Sequence, residues 1–338
     1  MKTSLYSILS MLLISLSILS GCKQAAPKVG LLIHSYDEKD KTYLVESLTK
    51  NGMEVLMKEA DNNQAKQVDQ AQEMLDNGAK VLIIVSINQE ESAKIVELAH
   101  NKNVKVIAYD RLIDGCQLDY YVSANTIDYY VSTDSKKNGE LQASSLTAIN
   151  PKGNYALICG SRYDNISMRL FNGQMNVLQP YMEKGDIQLV YSEFTDDWSA
   201  AQGSFHTNQI LDKYPDITAI IAGSDEIASG VLATLKERGL EGKVLVAGQD
   251  ANLENIKAIS SGKQTCTILK PLKKMAEVTA EIAASIAYNR PLTMKFTNQS
   301  NGKALIKSVM IDASVVDKEN IKTTILASGY YSLDQISK

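Results

Sequence analysis

The sequence predicts an α/β protein with two lobes, each built on a largely parallel sheet. Three observations carry this. Short apolar runs alternate with helical patterns from Lys28 onward. The runs are continuously apolar rather than alternating, which marks strands covered on both faces. The alternation breaks once, around 119–135, and then resumes. Strand–helix alternation at this spacing gives βαβ units and parallel sheets. The break fits two open sheets; a closed (β/α) barrel is the competing architecture.

In order, "KVGLLIH" (28–34), "MEVLMKE" (53–59), "KVLIIVS" (80–86) and "VKVIAYD" (104–110) read as strands. Between them, Val68, Ala71 and Leu75 share one face of a helix over 64–77. Gly52 and Gly78 stand just past helix ends, where a left-handed residue is wanted. After the break come "GNYALICGS" (153–161), "IQLVYSEF" (187–194), "ITAIIAGSD" (217–225) and "KVLVAGQD" (243–250), each followed by a helical stretch. "QTCTILKP" (264–271) leads into a helix striped with Leu272, Met275, Ala276, Thr279, Ile282, Ala283 and Ile286, which Pro291 stops. "KALIKSVMI" (303–311) reads as the final strand.

The start of the chain reads differently. Lys2 is followed by the apolar "LYSILSMLLISLSILS" and then by "LSGC", Leu19–Cys22. That is the pattern of a secretion signal ending in a lipobox, with Cys22 as the lipid-bearing residue. Residues 1–21 are then the signal and 22–27 a tether to a membrane. Acyl chains anchor through burial worth roughly 0.8 kcal/mol per methylene. Three cysteines remain, Cys116, Cys159 and Cys266, without a C-x-x-C pair, so a disulfide framework is not expected. His34, His100 and His206 lack metal-ligand spacing, and no metal or cofactor is expected. With 338 residues, 44% of them hydrophobic, the chain has material for two cores. A net charge of −4 without any basic run gives no case for a nucleic-acid partner.

In open parallel sheets ligands bind beyond the carboxyl ends of the strands. The residues there are His34-Ser35, Ser86, Asp110-Arg111, Gly160-Ser161, Glu193-Phe194, Ser224-Asp225, Gln249-Asp250 and Lys270. Asp110 beside Arg111 offers two acceptors and a planar donor fork, which suits the vicinal hydroxyls of a sugar. Asp250 repeats the idea in the second half. Trp198, the single tryptophan, follows "TDD" at a loop-to-helix junction and offers a flat face for a pyranose. Each has a plainer reading: a carboxylate at a strand end often caps the next helix, and a lone Trp often sits in a core. No phosphate-binding loop, nucleophile elbow or H-E-x-x-H is present, and no nucleophile–base pair stands out, so an enzyme is disfavoured.

Taken in order, "VKVIAYDR", "KKNGELQA", "GNYALICGS" with Asp164-Asn165, "GQMNVLQPY", "DDW", "GKVLVAGQDANLENIKAISSGKQT" and "LKPL" resemble the type I periplasmic sugar-binding proteins, most of all the D-xylose-binding proteins of ABC importers. The resemblance covers nearly all of the chain after the leader. It implies two Rossmann-like lobes joined by three crossovers, 28–132 plus 251–290 and 133–250 plus 291–338. It implies ligand contacts from Asp110 and Arg111 in the first lobe and from Asp164, Asn165, Trp198, Ser224 and Asp250 in the second, with Lys270 near the hinge. It also implies a monomer in the cell envelope that closes on a monosaccharide and meets an ABC permease. A lipoprotein that presents the sugar to a membrane sensor is the alternative. The chain departs from the pattern where Asp37 replaces an arginine, Ser224 an asparagine, and Ile166 a polar residue.

One feature stands apart. Asp-Tyr-Tyr-Val-Ser occurs at 119–123 and again at 128–132. The family pattern has room for one copy, so the sequence reads as a local duplication in the first crossover. The second copy, which runs directly into the next helix, is the expected strand.

Overall fold

The computed structural model describes residues 25–33, 38–87, 89–113 and 126–337. Cys22, His34, Ser35, Asp37, Cys116 and the first repeat copy lie outside them. Among the described residues no helix is long and apolar enough to cross a membrane.

The first half alternates β1 (Lys28–Ile33), α1 (Glu38–Lys50), β2 (Glu54–Glu59), α2 (Gln64–Asp76), β3 (Val81–Ile84), α3 (Gln89–Asn101), β4 (Lys105–Tyr109) and β5 (Tyr129–Thr133). The second runs through α4 (Ser135–Ile149), β6 (Gly153–Ser161), α5 (Asn165–Glu183), β7 (Ile187–Thr195), α6 (Ala200–Lys213), β8 (Ile217–Ala222), α7 (Asp225–Glu237), β9 (Leu245–Ala247), α8 (Leu253–Ser260) and β10 (Cys266–Leu269). It ends with α9 (Leu272–Ala287), β11 (Thr297–Ser300), β12 (Leu305–Ile311), β13 (Ser314–Asp317), a π-helical turn at Lys322–Leu326 and α10 (Leu333–Ser337).

These strands form two sheets. The order is β11-β12-β5-β4-β3-β1-β2 in one and β13-β10-β9-β8-β6-β7 in the other. Only β11 on β12 and β13 on β10 pair antiparallel. The continuous apolar runs have the expected cause, since successive residues of one strand feed opposite cores. In β3, Val81 and Ile83 join the core under α1 and α9, while Leu82 and Ile84 join the core under α2 and α3. In β6, Ala156 and Ile158 face the α6–α7 side, and Tyr155, Leu157 and Cys159 the α4–α5 side. Cys159 and Cys266 are buried free thiols, and burial pushes both up to about 12.

Among the described residues the chain passes between the sheets three times, at 133–135, 269–272 and 311–314. The expected lobe boundaries part from sheet membership in two places. Residues 251–270 were expected with the first lobe, but β10 pairs with β9 and β13 in the second sheet; only α9 beyond it joins the first core. Residues 291–311 were expected with the second lobe, but β11 and β12 extend the first sheet beside β5. Local pattern marks a strand without marking which sheet it completes. The second repeat copy behaves as expected. It forms β5, held between β4 and β12, with Tyr130 and Val131 buried on opposite faces.

Asp225, at the start of α7, is wholly buried. Its carboxylate accepts from Gln264 Nε2 at 3.0 Å, Thr267 Oγ1 at 2.9 Å and the Asn252 amide at 2.9 Å. Burial outweighs these bonds and pushes the carboxyl up to about 8. The folded protein therefore keeps a proton that the unfolded chain releases near its ordinary value of about 3.9. That contribution to stability is full below pH about 4 and is lost as pH rises through the folded value. Urea unfolding should show the Asp225→Asn variant gaining on wild type between pH 5 and pH 8.5; a difference independent of pH would refute a protonated Asp225.

Candidate functional site in the cleft between the lobes

Two strand ends present carboxylates in an unusual way. Asp110 follows β4 with φ of +61°, and Asp250 follows β9 with φ of +102°. Left-handed backbone is costly for a residue with a side chain and persists where its surroundings hold it. At Asp110 the holding groups are visible. Its amide donates to the Val131 carbonyl, and its own carbonyl accepts from Tyr130 Oη at 2.9 Å and Ser132 Oγ at 2.8 Å. So β5, made from the second repeat copy, fixes Asp110. Asp250 is tied by its amide to the Ile268 carbonyl at 2.8 Å.

Lys270, at the second crossover, joins the two. Its Nζ lies 3.1 and 3.2 Å from the Asp110 carboxylate oxygens and 3.3 Å from Asp250 Oδ1. One buried cation thus links a carboxylate from each sheet at the second crossover. Burial raises the Asp250 carboxyl, Lys270 opposes that rise, and the Asp110 charge adds to it. Arg111 donates from Nη1 to the Ser86 carbonyl at 3.2 Å and sets Nε 3.5 Å from Asp164 Oδ2, across the cleft.

The other expected residues come from the second sheet. Asp164 caps α5, accepting from the Ile166 amide at 3.0 Å, so the plainer capping role and the Arg111 contact coexist. Ser224 caps α7 through the Ile227 amide at 3.2 Å. Trp198 lies on the end of β6. Any Cβ on Gly160 would collide with its ring, so only glycine lets the indole lie flat there. Its ring also packs on the Ala156–Ile158 side core, so the tryptophan is both part core and part cleft wall.

Asp110, Arg111, Asp164, Trp198, Ser224, Asp250 and Lys270 line one cleft with a cavity volume of about 920 Å³. Asn165 is not among the lining residues; its Nδ2 donates to the Leu112 carbonyl at 3.4 Å. Ile166 is in the wall, as the departure from the family pattern placed it. Ser86, Ser161 and Gln249 line it too, as strand ends should. Glu193 and Phe194 line a second, smaller pocket, which includes Arg162 and shares Asp164 with the cleft. Sequence reasoning missed Asp40, Asn62 and Tyr331 as wall residues. Asp40 accepts from the buried Tyr109 hydroxyl at 2.6 Å. Its place in the first turn of α1 directly after β1 was the available signal. Among the described residues no group of His, Cys, Asp or Glu is arranged to hold a metal ion.

A polar cleft between two doubly wound sheets, crossed by three connections, has close counterparts. The periplasmic binding protein domain matches residues 32–291. The chain belongs to that family. It is 34% identical to the D-xylose-binding periplasmic protein of Haemophilus influenzae and 33% identical to that of Escherichia coli, in both cases over 91% of this chain and 92% of the relative. Among solved structures, an ABC transporter solute binding protein from Clostridium phytofermentans with bound β-D-glucose superposes with a TM-score of 0.80 at 25% identity, covering 91% of this chain and 99% of that one. A carbohydrate transporter solute binding protein from Chloroflexus aurantiacus, with a TM-score of 0.81 at 23% identity, shares the fold. This is a family of binding proteins, and membership is the ground on which the chain is not assigned an enzyme activity.

Proposed function

We propose that the chain captures a monosaccharide of the pentose class, xylose-like, between its lobes and hands it to an ABC importer from a lipid anchor at Cys22. The observation that carries the reading is the Asp110–Lys270–Asp250 bridge on the cleft floor, with Arg111 and Trp198 beside it. Carboxylates and a guanidinium form paired bonds with vicinal hydroxyls, and a flat indole covers the apolar face of a pyranose ring. The D-xylose-binding names of the relatives support the same ligand class. Ser224 and Ile166 stand in the wall where the family pattern has other groups, so the preferred sugar is set by this chain's own wall. Capture then proceeds by hinge closure, and release follows when a membrane partner favours the open form.

A thermal-shift screen of the chain from Lys23 onward against pentoses, hexoses and inositols tests this. A bound sugar at a hundred times its Kd stabilises by about 2.7 kcal/mol. A pentose is expected to give the largest shift, and Asp110→Asn or Arg111→Ala to abolish it. No shift with any sugar, or an undiminished shift in both variants, would sink the site assignment.

A further inference from the structure

A further contact crosses between the lobes at the edge of the cleft. Lys39 lies in the first turn of α1, whose apolar face packs on the first-lobe core with Leu44 and Leu48. Its Nζ stands 3.7 Å from the centroid of the Tyr331 ring and 5.0 Å from that of Tyr330. The two rings meet edge to face, with centroids 5.0 Å apart and planes at 84°. Tyr331 belongs to the cluster around Ile256, Ile259 and Val316, which is anchored on β13 of the second sheet. Tyr330 touches that cluster and the first-lobe core alike, and its hydroxyl reaches the Asp250 carbonyl at 3.5 Å.

We propose that Lys39 and the Tyr330–Tyr331 pair form a cation–π latch that holds the lobes closed on bound ligand, making Lys39 a positioning residue for retention rather than a ligand contact. Three features favour a latch over incidental contact. The partners come from different lobes. The cation sits within range of two ring faces at once, a geometry that attracts a positive charge. Tyr331 is only 6% exposed and lines the cleft, so the ammonium meets a ring largely withdrawn from water, where such a contact is strongest.

The consequence is kinetic. A contact present only in the closed form shifts the open–closed equilibrium by its own strength. Removing it leaves encounter with the open form unchanged and speeds escape. Loss of the cation acts on every sugar alike, because Lys39 is not among the residues that line the cleft. The inference rests on the proposed closure around a sugar, and the experiment separates the two.

Trp198 is the sole tryptophan and lies in the cleft, so its fluorescence reports both ligand and closure. With the full chain in detergent, stopped-flow traces for each sugar that binds should show dissociation roughly three- to thirtyfold faster in Lys39→Met, with association unchanged. Lys39→Arg keeps the cation and Tyr331→Phe keeps the ring, and both should stay at the wild-type rate. Tyr331→Leu should match Lys39→Met. Acrylamide should quench Trp198 more in unliganded Lys39→Met than in wild type. Wild-type dissociation in Lys39→Met overturns the latch, as does a changed preference between sugars, which would place Lys39 among the ligand contacts. If no sugar binds the wild-type chain, the monosaccharide reading fails and the quenching comparison alone decides: equal quenching overturns the latch.

Discussion

Lys270→Met is expected to destabilise the protein by roughly 2–3 kcal/mol, less than the full cost of breaking a buried pair because water screens Asp250 in part, and to remove its sugar response in the same step. The lysine is 9% exposed and stands between the buried Asp110 and Asp250, whose side chain is 36% exposed. Methionine keeps most of the volume, so packing is nearly preserved and the charge is what disappears. Asp110 is then left as a buried charge beside the like charge of Asp250, which water reaches in part. Breaking a buried pair costs far more than never having built it, because the surviving charge has no partner and no water.

The pH dependence of this loss has a definite sign. Burial already raises the Asp250 carboxyl, and Lys270 is the main group opposing that rise. Without the lysine the carboxyl rises further. A proton bound by the folded state above the unfolded value stabilises at low pH and is lost as pH rises. The variant should therefore lose less at pH 5 than at pH 8 when unfolded in urea. Adding Asp250→Asn to Lys270→Met removes one of the two stranded charges and should recover part of the loss. A penalty below about 1 kcal/mol at both pH values would mean that the bridge is solvated and bears no weight at the pivot.

Much of this site was legible in the chain because strand ends are legible. Asp110, Arg111, Asp250 and Lys270 each end an apolar run that no other element explains, and parallel sheets put such ends on one edge. What stayed hidden has physical reasons. Asp40 and Tyr331 reach the cleft from a helix start and from the last segment, places with no periodic signal pointing at a ligand. Thr297–Ser300 forms β11 although it is polar and largely exposed; it gains its place from pairing with β12 rather than from a buried face. Ser314–Asp317 forms β13 with four residues, too few to establish a period. The lobe to which 251–311 belongs depends on three chain passages between sheets, and nothing in the local pattern encodes a passage. The repeated pentapeptide was readable only as far as its second copy, which forms an interior strand of the first sheet and fixes Asp110.

The glycines inside "KKNGELQA" and "FNGQMNV" point to the second large effect. Gly139 on α4 and Gly173 on α5 face each other across a close helix crossing. A Cβ on Gly139 would collide with the Leu170 carbonyl, and one on Gly173 with the Lys136 carbonyl. By propensity alone, alanine at either site would stabilise the helix by about 0.8–1.0 kcal/mol. The collision is with backbone, which has no rotamer through which to escape, so the helices must separate along their whole contact. Overpacking of this kind costs about 1–3 kcal/mol, and here the strain is toward the upper end. Gly173→Ala should therefore lower the urea midpoint, with a net loss of about 2 kcal/mol and an unchanged denaturant slope. Once the helices have moved apart, the second collision is already partly relieved. The double variant Gly139→Ala with Gly173→Ala should lose less than the sum of the two singles, which is the mark of a shared contact. Additive losses would mean that each glycine is needed for its own reason and that the crossing itself is not what they serve. The same design recurs between α6 and α7, where Cβ atoms on Gly203 and Gly230 would strike the Ile227 and Ala200 carbonyls. The second lobe thus sets the packing of both its helical layers by backbone contact. That rigidity holds Asp164 and Ser224, the N-caps of α5 and α7, in fixed positions on the cleft wall.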